Sequence, residues 1–231
     1  MDIVRELDLM FFVALCTVTG FVATTTYLLM KQQKIDDTMV KLNTQTWIYF
    51  WVFHLLSYVL GLVSRLYLYE TPELARLVDT MSMNVIMIGI TIKVFYVEKL
   101  LDQMKKHYFT WFNICAIIYT IAMWRIMKTS TPAIIIGFIF QALGFAVLPL
   151  MYLYLAFQSS GRIRKNALFA LVGLLIIEFS LSFQVHNIVV VFPTYVEDFM
   201  AIFGFPPQTL NPIFVIGGTI LVYKSYSTGI T

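Results

Sequence analysis

The stretch TPAIIIGFIFQALGFAVLPLMYLYLAF, residues 131–157, carries no charged side chain. A helix of about 20 apolar residues crosses the hydrocarbon core of a bilayer, so this stretch is long enough to span one. The whole chain of 231 residues is 59% hydrophobic and 13% charged, a balance that ordinary soluble domains do not have. We therefore expect a multi-pass protein of the cell membrane, in which residues 131–157 form one of several spanning helices.

Apolar runs of similar length recur along the chain and predict an all-α bundle of seven transmembrane helices with no separate soluble domain. The first run follows the acidic segment MDIVRELD and is not followed by a small-residue cleavage site, so we interpret it as a helix rather than a signal peptide. The expected spans are residues 9–30, 46–68, 77–97, 109–127, 131–157, 166–190 and 209–223.

Lysine and arginine concentrate in alternate loops, at 31–43, 98–108 and 158–166. Basic loops resist translocation, so this distribution predicts an N-terminus outside and a C-terminus in the cytoplasm. The net charge of +3 follows from this topology, and no nucleic-acid partner is expected. Six basic residues are candidate contacts for a cytoplasmic signalling protein: Lys99, Lys105, Lys106, Arg162, Arg164 and Lys165.

Small and polar side chains at helical spacing predict the inward face of each span. In the second span this face collects Trp47, Phe50, His54, Ser57, Tyr58, Gly61, Ser64 and Arg65. The opposite, lipid-like side carries Val52, Leu56, Val59, Leu60 and Val63. Shorter sets in the first, fourth and fifth spans are Thr17, Gly20 and Thr24; Asn113, Ala116 and Thr120; and Gly137, Gln141 and Gly144.

The connection between the last two spans predicts a short amphipathic helix at about 194–204 on the exterior side. Thr194 and Glu197 fit a capping box, and Gly204 can end the helix. Tyr195, Val196, Phe199, Ile202 and Phe203 share one apolar face. The helix is interpreted as an anchor in the membrane interface, with a lid over the outer mouth as the alternative.

Of the ionisable residues inside predicted spans, three are candidates for a common buried layer: Glu178, Lys93 and His54. A lone charge at the centre of a bilayer costs at least about 2.5 to 3.5 kcal/mol, so such a group is paired, neutral or in contact with water. Their estimated depths allow all three to meet in one layer, and we expect Lys93 to pair with Glu178 near His54. A polar track is expected to lead to this layer, through Ser182, His186, Gln141, Asn84 and Tyr58.

Two interpretations of the layer stay open. It is either an ion-paired clamp that fixes the register of the helices or a site for a ligand, ion or proton. As a further alternative, Lys93 reaches toward the cytoplasmic interface and Glu178 stays protonated.

Several kinds of chemistry can be set aside. His54, His107 and His186 are too far apart in the predicted topology to share a metal, so no metal site or haem is expected. The sequence contains no nucleophile elbow, P-loop or dinucleotide glycine pattern. We expect no cofactor and no catalytic residue.

The helix count, the short loops, the outside N-terminus and the closing sequence PIFVIGGTILVYKSY (212–226) resemble the seven-helix membrane sensor regions that precede archaeal and bacterial histidine kinases. The resemblance implies a sensor or receptor-like protein that detects a small, apolar molecule and relays it to a cytoplasmic partner. The sequence KSYSTGIT after the last span carries no kinase module.

A small-solute or proton-coupled transporter is the alternative function. Pro206, Pro207 and Gln208 are similar to the proline-glutamine motif of seven-helix sugar transporters, but the first span lacks a matching motif. A structural or assembly role is the third option. A retinal protein is disfavoured, because the seventh span has IFVIGGTILV where rhodopsins place their lysine.

Overall fold

The computed structural model describes residues 3–67, 71–101, 106–127, 131–182, 194–205 and 207–227. The regular secondary structure of these residues is entirely helical, which confirms the predicted all-α class. A 3₁₀ turn, Pro207–Leu210, precedes the last helix. The α-helices are α1 (Ile3–Gln32), α2 (Thr38–Tyr67), α3 (Pro72–Leu100), α4 (Tyr108–Met127), α5 (Thr131–Gln158), α6 (Gly161–Ser182), α7 (Tyr195–Phe203) and α8 (Asn211–Ser227).

Four of the described helices are long and apolar enough to cross a membrane. Their spans are Phe12–Gln32, Val40–Ser64, Leu77–Leu100 and Ile135–Gln158, which match the first, second, third and fifth predicted spans. α4 contains a shorter apolar stretch, Tyr108–Met123. The helix content and these spans suggest a membrane protein.

The chain divides into two compact units. The central unit is Phe21–Leu148, and the terminal unit combines Met1–Gly20 with Pro149–Thr231. α5 continues through Pro149, and the division between the units falls at this residue.

In the central unit α3 packs between α2 and α4. Near one end of the α2–α3 pair Ser64 Oγ donates a hydrogen bond to the carbonyl oxygen of Ala75 at 2.9 Å, and near the other end Lys93 bonds Asn43. Likewise, Asn84 of α3 contacts Thr120 of α4. Glu98, later on α3, contacts Thr110, which is earlier on α4. These pairings show that α2 and α3, and likewise α3 and α4, run antiparallel.

Burial confirms most of the predicted inward faces. On α2 the side chains of Trp47, Phe50, His54, Ser57, Tyr58 and Ser64 are buried, whereas Val52, Leu56, Val59 and Val63 are exposed. Asn113, Ala116 and Thr120 of α4 and Gly137, Gln141 and Gly144 of α5 are buried as well. Leu60 and Gly61 are half-buried, and the side chain of Arg65 lies outside the described residues. On α1 Thr17 is buried, whereas Gly20 and Thr24 are half-buried.

In the terminal unit α6 and α8 cross at glycines. A Cβ atom added at Gly173 would lie 2.7 Å from the carbonyl oxygen of Gly218, and one added at Gly218 would lie 2.7 Å from that of Gly173. Phe179 and Phe214 pack edge to face further along the same pair, with ring centroids 5.8 Å apart. Only glycine therefore permits this separation of the two backbones.

α7 occupies the segment in which an amphipathic helix is expected. It ends at Gly204, whose φ of 76° is in the left-handed region that glycine adopts without strain. The predicted capping box is wrong: Thr194 has helical backbone angles and makes no side-chain capping bond. Glu197 and Asp198 in the first turn complement the positive end of the helix dipole instead.

Two helices begin earlier than hydropathy suggests. α2 begins at Thr38 rather than at 46, because Oδ1 of Asp37 accepts a hydrogen bond from Val40 N at 2.9 Å and caps the first turn. α6 begins at Gly161 rather than at 166, so Arg162, Arg164 and Lys165 lie on its first turns.

Candidate ligand-binding site

Lys93 is wholly buried, and its ammonium group is surrounded by neutral partners. Nζ donates hydrogen bonds to Asn43 Oδ1 at 2.6 Å and to Thr46 Oγ1 at 3.1 Å. It also lies 4.2 Å from the ring centroid of Trp47 and 5.2 Å from that of Tyr96, distances at which the face of an aromatic ring attracts a cation.

The early start of α2 creates this environment. Asn43 and Thr46 are one turn apart on α2, and Trp47 follows Thr46, so the three side chains point toward the same part of α3. Had α2 begun at 46, Asn43 would lie in a loop. The cap at Asp37 therefore positions an acceptor for Lys93.

Within Phe21–Leu148, none of the described carboxylates forms an ion pair with Lys93. Glu178 belongs to the other compact unit, so its expected pairing with Lys93 stays a prediction. A buried ammonium group held by dipoles and rings keeps an uncompensated charge when it is protonated, which makes it responsive to any anion or proton that reaches it.

His54 is buried on α2, away from the α2 residues that bond Lys93. It lies about 12 Å along the helix axis from Thr46, at 1.5 Å per residue, so His54 and Lys93 are at different heights along α2. Its Nδ1 lies 2.8 Å from the carbonyl oxygen of Phe50. A carbonyl only accepts, so the proton of the neutral imidazole is on Nδ1 and Nε2 is an acceptor.

An aromatic cluster surrounds His54, formed by Phe21 of α1 and Phe50, Trp51 and Tyr58 of α2. The imidazole centroid is 4.0 Å from that of Phe50, 6.1 Å from that of Trp51 and 6.3 Å from that of Phe21. The ring centroid of Phe21 also lies 6.1 Å from that of Tyr58. Tyr58, a residue of the expected polar track, therefore belongs to the same cluster. His54 Nε2 and Trp51 Nε1 are buried and hydrogen-bond to none of the described groups.

A second polar group lies between α3 and α4. Thr120 Oγ1 donates a hydrogen bond to Asn84 Oδ1 at 2.6 Å, while Asn84 Nδ2 is buried without a partner among the described residues. Asn113 is also fully buried, and both polar atoms of its amide lack a described partner. Close to it, Gly144 leaves room for the Asn113 oxygen, which lies 3.2 Å from the position of an added Cβ.

The remaining residues of the expected layer and polar track lie on α5 and α6 or outside the described residues. Gln141 is buried on α5. Glu178 is half-buried on α6, between the buried Ile177 and the exposed Phe179. The side chain of Ser182 and the whole of His186 lie outside the described residues.

Most of the candidate contacts for a cytoplasmic protein are exposed. They are Lys99 at the end of α3, Lys106 before α4, and Arg162, Arg164 and Lys165 on α6. Lys105 lies outside the described residues.

Glu98 is a buried carboxylate that neither hydropathy nor motifs single out in the sequence. It is completely buried and accepts hydrogen bonds from Phe109 N at 2.9 Å, from Thr110 N at 3.3 Å and from the Thr110 hydroxyl. His107 Nδ1 lies 3.5 Å from Glu98 Oε2. The carboxylate thus satisfies amides at the start of α4 and joins α3 to α4.

No cluster of metal-binding side chains occurs among the residues whose positions are described. The buried groups instead suit a small molecule held by hydrogen bonds and aromatic rings. Comparison with family models, curated proteins and solved structures finds no match.

Proposed function

We propose that the chain is a seven-helix membrane sensor, with its N-terminus outside and its C-terminus in the cytoplasm, that binds a small, largely apolar molecule within its central unit. The bound molecule alters the packing of α2, α3 and α4. The change reaches a cytoplasmic signalling protein through the exposed basic residues at the helix ends, which are Lys99, Lys106, Arg162, Arg164 and Lys165. The proposal extends the resemblance to prokaryotic sensor regions.

The observation that carries the proposal is the set of buried hydrogen-bonding atoms without partners in the central unit. Trp51 Nε1, His54 Nε2, Asn84 Nδ2 and both polar atoms of the Asn113 amide belong to this set of described residues. Leaving such an atom unsatisfied costs about 1 to 3 kcal/mol. A molecule that satisfies several of them gains this energy on binding, whereas a purely structural bundle gains nothing from keeping them.

α3 supplies the route from the site to the cytoplasmic side. It carries Asn84 in its middle, Lys93 two to three turns further on, and Glu98 at its end. Since Glu98 is bonded to the first amides of α4, a displacement of α3 moves Lys99 near its end and also the start of α4, next to Lys106. A ligand that binds one packing arrangement of α3 more tightly therefore increases the population of that arrangement, together with the matching position of the start of α4.

Photo-crosslinking in the native host tests the relay. A photoreactive phenylalanine is placed at Lys106 or Arg164, and matched variants carry it at Ile139 or Leu143, which are exposed on the apolar surface of α5. We expect a discrete protein adduct from the basic positions, with a yield that changes at least threefold in the Lys93→Met background. The same adducts from α5, or an unchanged yield, would contradict the relay.

A proton-coupled transporter is the second candidate, favoured by the buried, ionisable Lys93 on a helix of membrane length. It predicts that vesicles containing the full chain dissipate an imposed pH gradient faster than vesicles containing Lys93→Met. The sensor predicts equal rates for both.

A further inference from the structure

The donor of Trp51 and the acceptor of His54 form a complementary pair on one face of α2. The residues are three positions apart, one helical turn, and their ring centroids are 6.1 Å apart. His54 Nε2 can only accept, because Nδ1 donates to Phe50 O, and Trp51 Nε1 can only donate. Both atoms are buried, yet they do not bond each other.

A hydroxyl group has the chemistry that satisfies both atoms. It donates its proton to His54 Nε2 and accepts from Trp51 Nε1–H through an oxygen lone pair. Two hydrogen bonds of about 2.9 Å to one hydroxyl oxygen join nitrogens about 4.5 to 5 Å apart, a separation that side chains one helical turn apart can reach. An amine or a carboxylate would satisfy only one of the two in its charged form.

The surroundings of the pair are apolar. The rings of Phe21 and Phe50 pack against the imidazole, and Phe21 also lies 5.9 Å from Trp51 between centroids. Exposed apolar side chains such as Val52 and Leu56 cover the outer side of the same helix. A molecule that reaches this cluster from the bilayer therefore needs an apolar body with a single polar end.

We propose that the aromatic cluster of Phe21, Phe50, Trp51, His54 and Tyr58 binds the hydroxyl group of an apolar alcohol, bridged between Trp51 Nε1 and His54 Nε2. The inference rests on the proposed ligand-binding role of the central unit and specifies the chemical class of the ligand. The hydroxyl oxygen of water has the same bonding capacity, so the test separates the two sources.

The experiment uses the full chain with ¹⁵N-labelled tryptophan side chains in lipid nanodiscs, titrated with 1-octanol and, separately, with n-octane. The Trp51 indole resonance is the one absent from Trp51→Phe. We expect it to shift saturably with octanol and not with octane. The resonance of Trp111, whose side chain is 62% exposed on α4, reports octanol that is merely dissolved in the lipid and should not saturate.

His54→Phe keeps a ring of similar shape but removes the acceptor, and we expect it to weaken the apparent octanol affinity about fivefold, the effect of one lost hydrogen bond. His107→Phe, outside the cluster, should leave the affinity unchanged. If Trp51→Phe does not fold, peptide mapping after photolabelling with a diazirine-bearing octanol gives the second readout, with label expected around Phe21 and His54.

Equal responses to octanol and octane, or an octanol affinity unaffected by His54→Phe, would overturn the proposal. A Trp51 indole that exchanges with water but ignores octanol would assign the pair to water and overturn it as well. None of these results bears on the cytoplasmic crosslinks, so the sensor proposal stands or falls separately.

Discussion

Lys93 donates a hydrogen bond from its buried Nζ atom to Oδ1 of Asn43, 2.6 Å away on the neighbouring helix. Asn43 lies within two turns of the start of α2, and Lys93 lies within two turns of the end of α3. This contact ties the ends of two antiparallel helices together and gives a buried ammonium group a neutral acceptor.

The contact predicts that Asn43→Leu destabilises the protein by about 1.5 to 3 kcal/mol, the usual contribution of a hydrogen bond to a charged group. Lys93→Met in the Asn43→Leu background should cost less than it does alone, because the partner is already missing. Reversible unfolding in mixed micelles measures both effects. Gln45→Leu, which removes a surface bond to Tyr49, is the control and should cost less than about 0.5 kcal/mol.

Asn43 illustrates what hydropathy cannot predict, which is where a helix begins. The apolar run begins at 46, so hydropathy alone leaves the polar residues before it outside the helix. Asp37 followed by a stretch without proline or glycine was the available signal for an earlier helix start. Hydropathy locates the membrane core of a helix, but capping determines its ends.

A second prediction concerns the crossing of α6 and α8. An alanine Cβ at Gly173 would lie 2.7 Å from the Gly218 carbonyl oxygen and 2.8 Å from backbone and side-chain atoms of Val222. Because backbone cannot yield as a side chain does, Gly173→Ala should cost about 1 to 3 kcal/mol, measured by the same unfolding assay.

Gly217→Ala is the matched control on the adjacent residue. Among the described residues, no heavy atom outside its own stretch of helix lies within 4 Å of its added Cβ, so alanine should be neutral or stabilise α8 by up to about 1 kcal/mol. Of these two adjacent glycines, only Gly218 has a close neighbour. Equal losses for Gly173→Ala and Gly217→Ala would mean that the two helices do not cross at Gly173.

The third prediction compares the loss of stability when each of two glycines in the central unit is replaced by alanine. At Gly89 an added Cβ would meet Phe53 Cβ at 2.8 Å, whereas at Gly144 the nearest atom is Cε of Met87, the end of a flexible side chain. Gly89→Ala should therefore be the more destabilising substitution, by about 1 kcal/mol or more. A thermal-unfolding comparison of the two variants tests the order, and the reverse order would contradict this packing.

The fourth prediction concerns the buried carboxylate of Glu98. Glu98→Gln should weaken the bonds to Phe109 N and Thr110 N, because the charge is lost and the amide nitrogen cannot accept. A loss of about 1.5 kcal/mol corresponds to roughly tenfold faster hydrogen exchange at these two amides. Glu197→Gln, at an exposed position of α7, is the control and should leave that exchange unchanged.

The sequence located many of the residues that matter but not their partners. The inward faces of α2, α4 and α5 follow from the spacing of small and polar residues, since that spacing is a local property of one helix. Pairing depends on how helices are aligned with each other, so the spacing along single helices does not identify Asn43 and Thr46 as hydrogen-bond partners of Lys93. Glu98 was overlooked because a carboxylate beside a basic loop usually lies in solvent.

The most direct test of the central claim is a fluorescence measurement at Lys106, two residues before the start of α4. Cys16 and Cys115 are free thiols, so they are first replaced by serine, and bimane is attached at Lys106→Cys in the full chain in nanodiscs. The account predicts that 1-octanol changes the bimane emission saturably, that n-octane does not, and that His54→Phe moves the midpoint about fivefold to higher octanol. An emission that stays constant while the Trp51 indole resonance shifts with octanol would contradict the claim that the central unit relays binding to the cytoplasm.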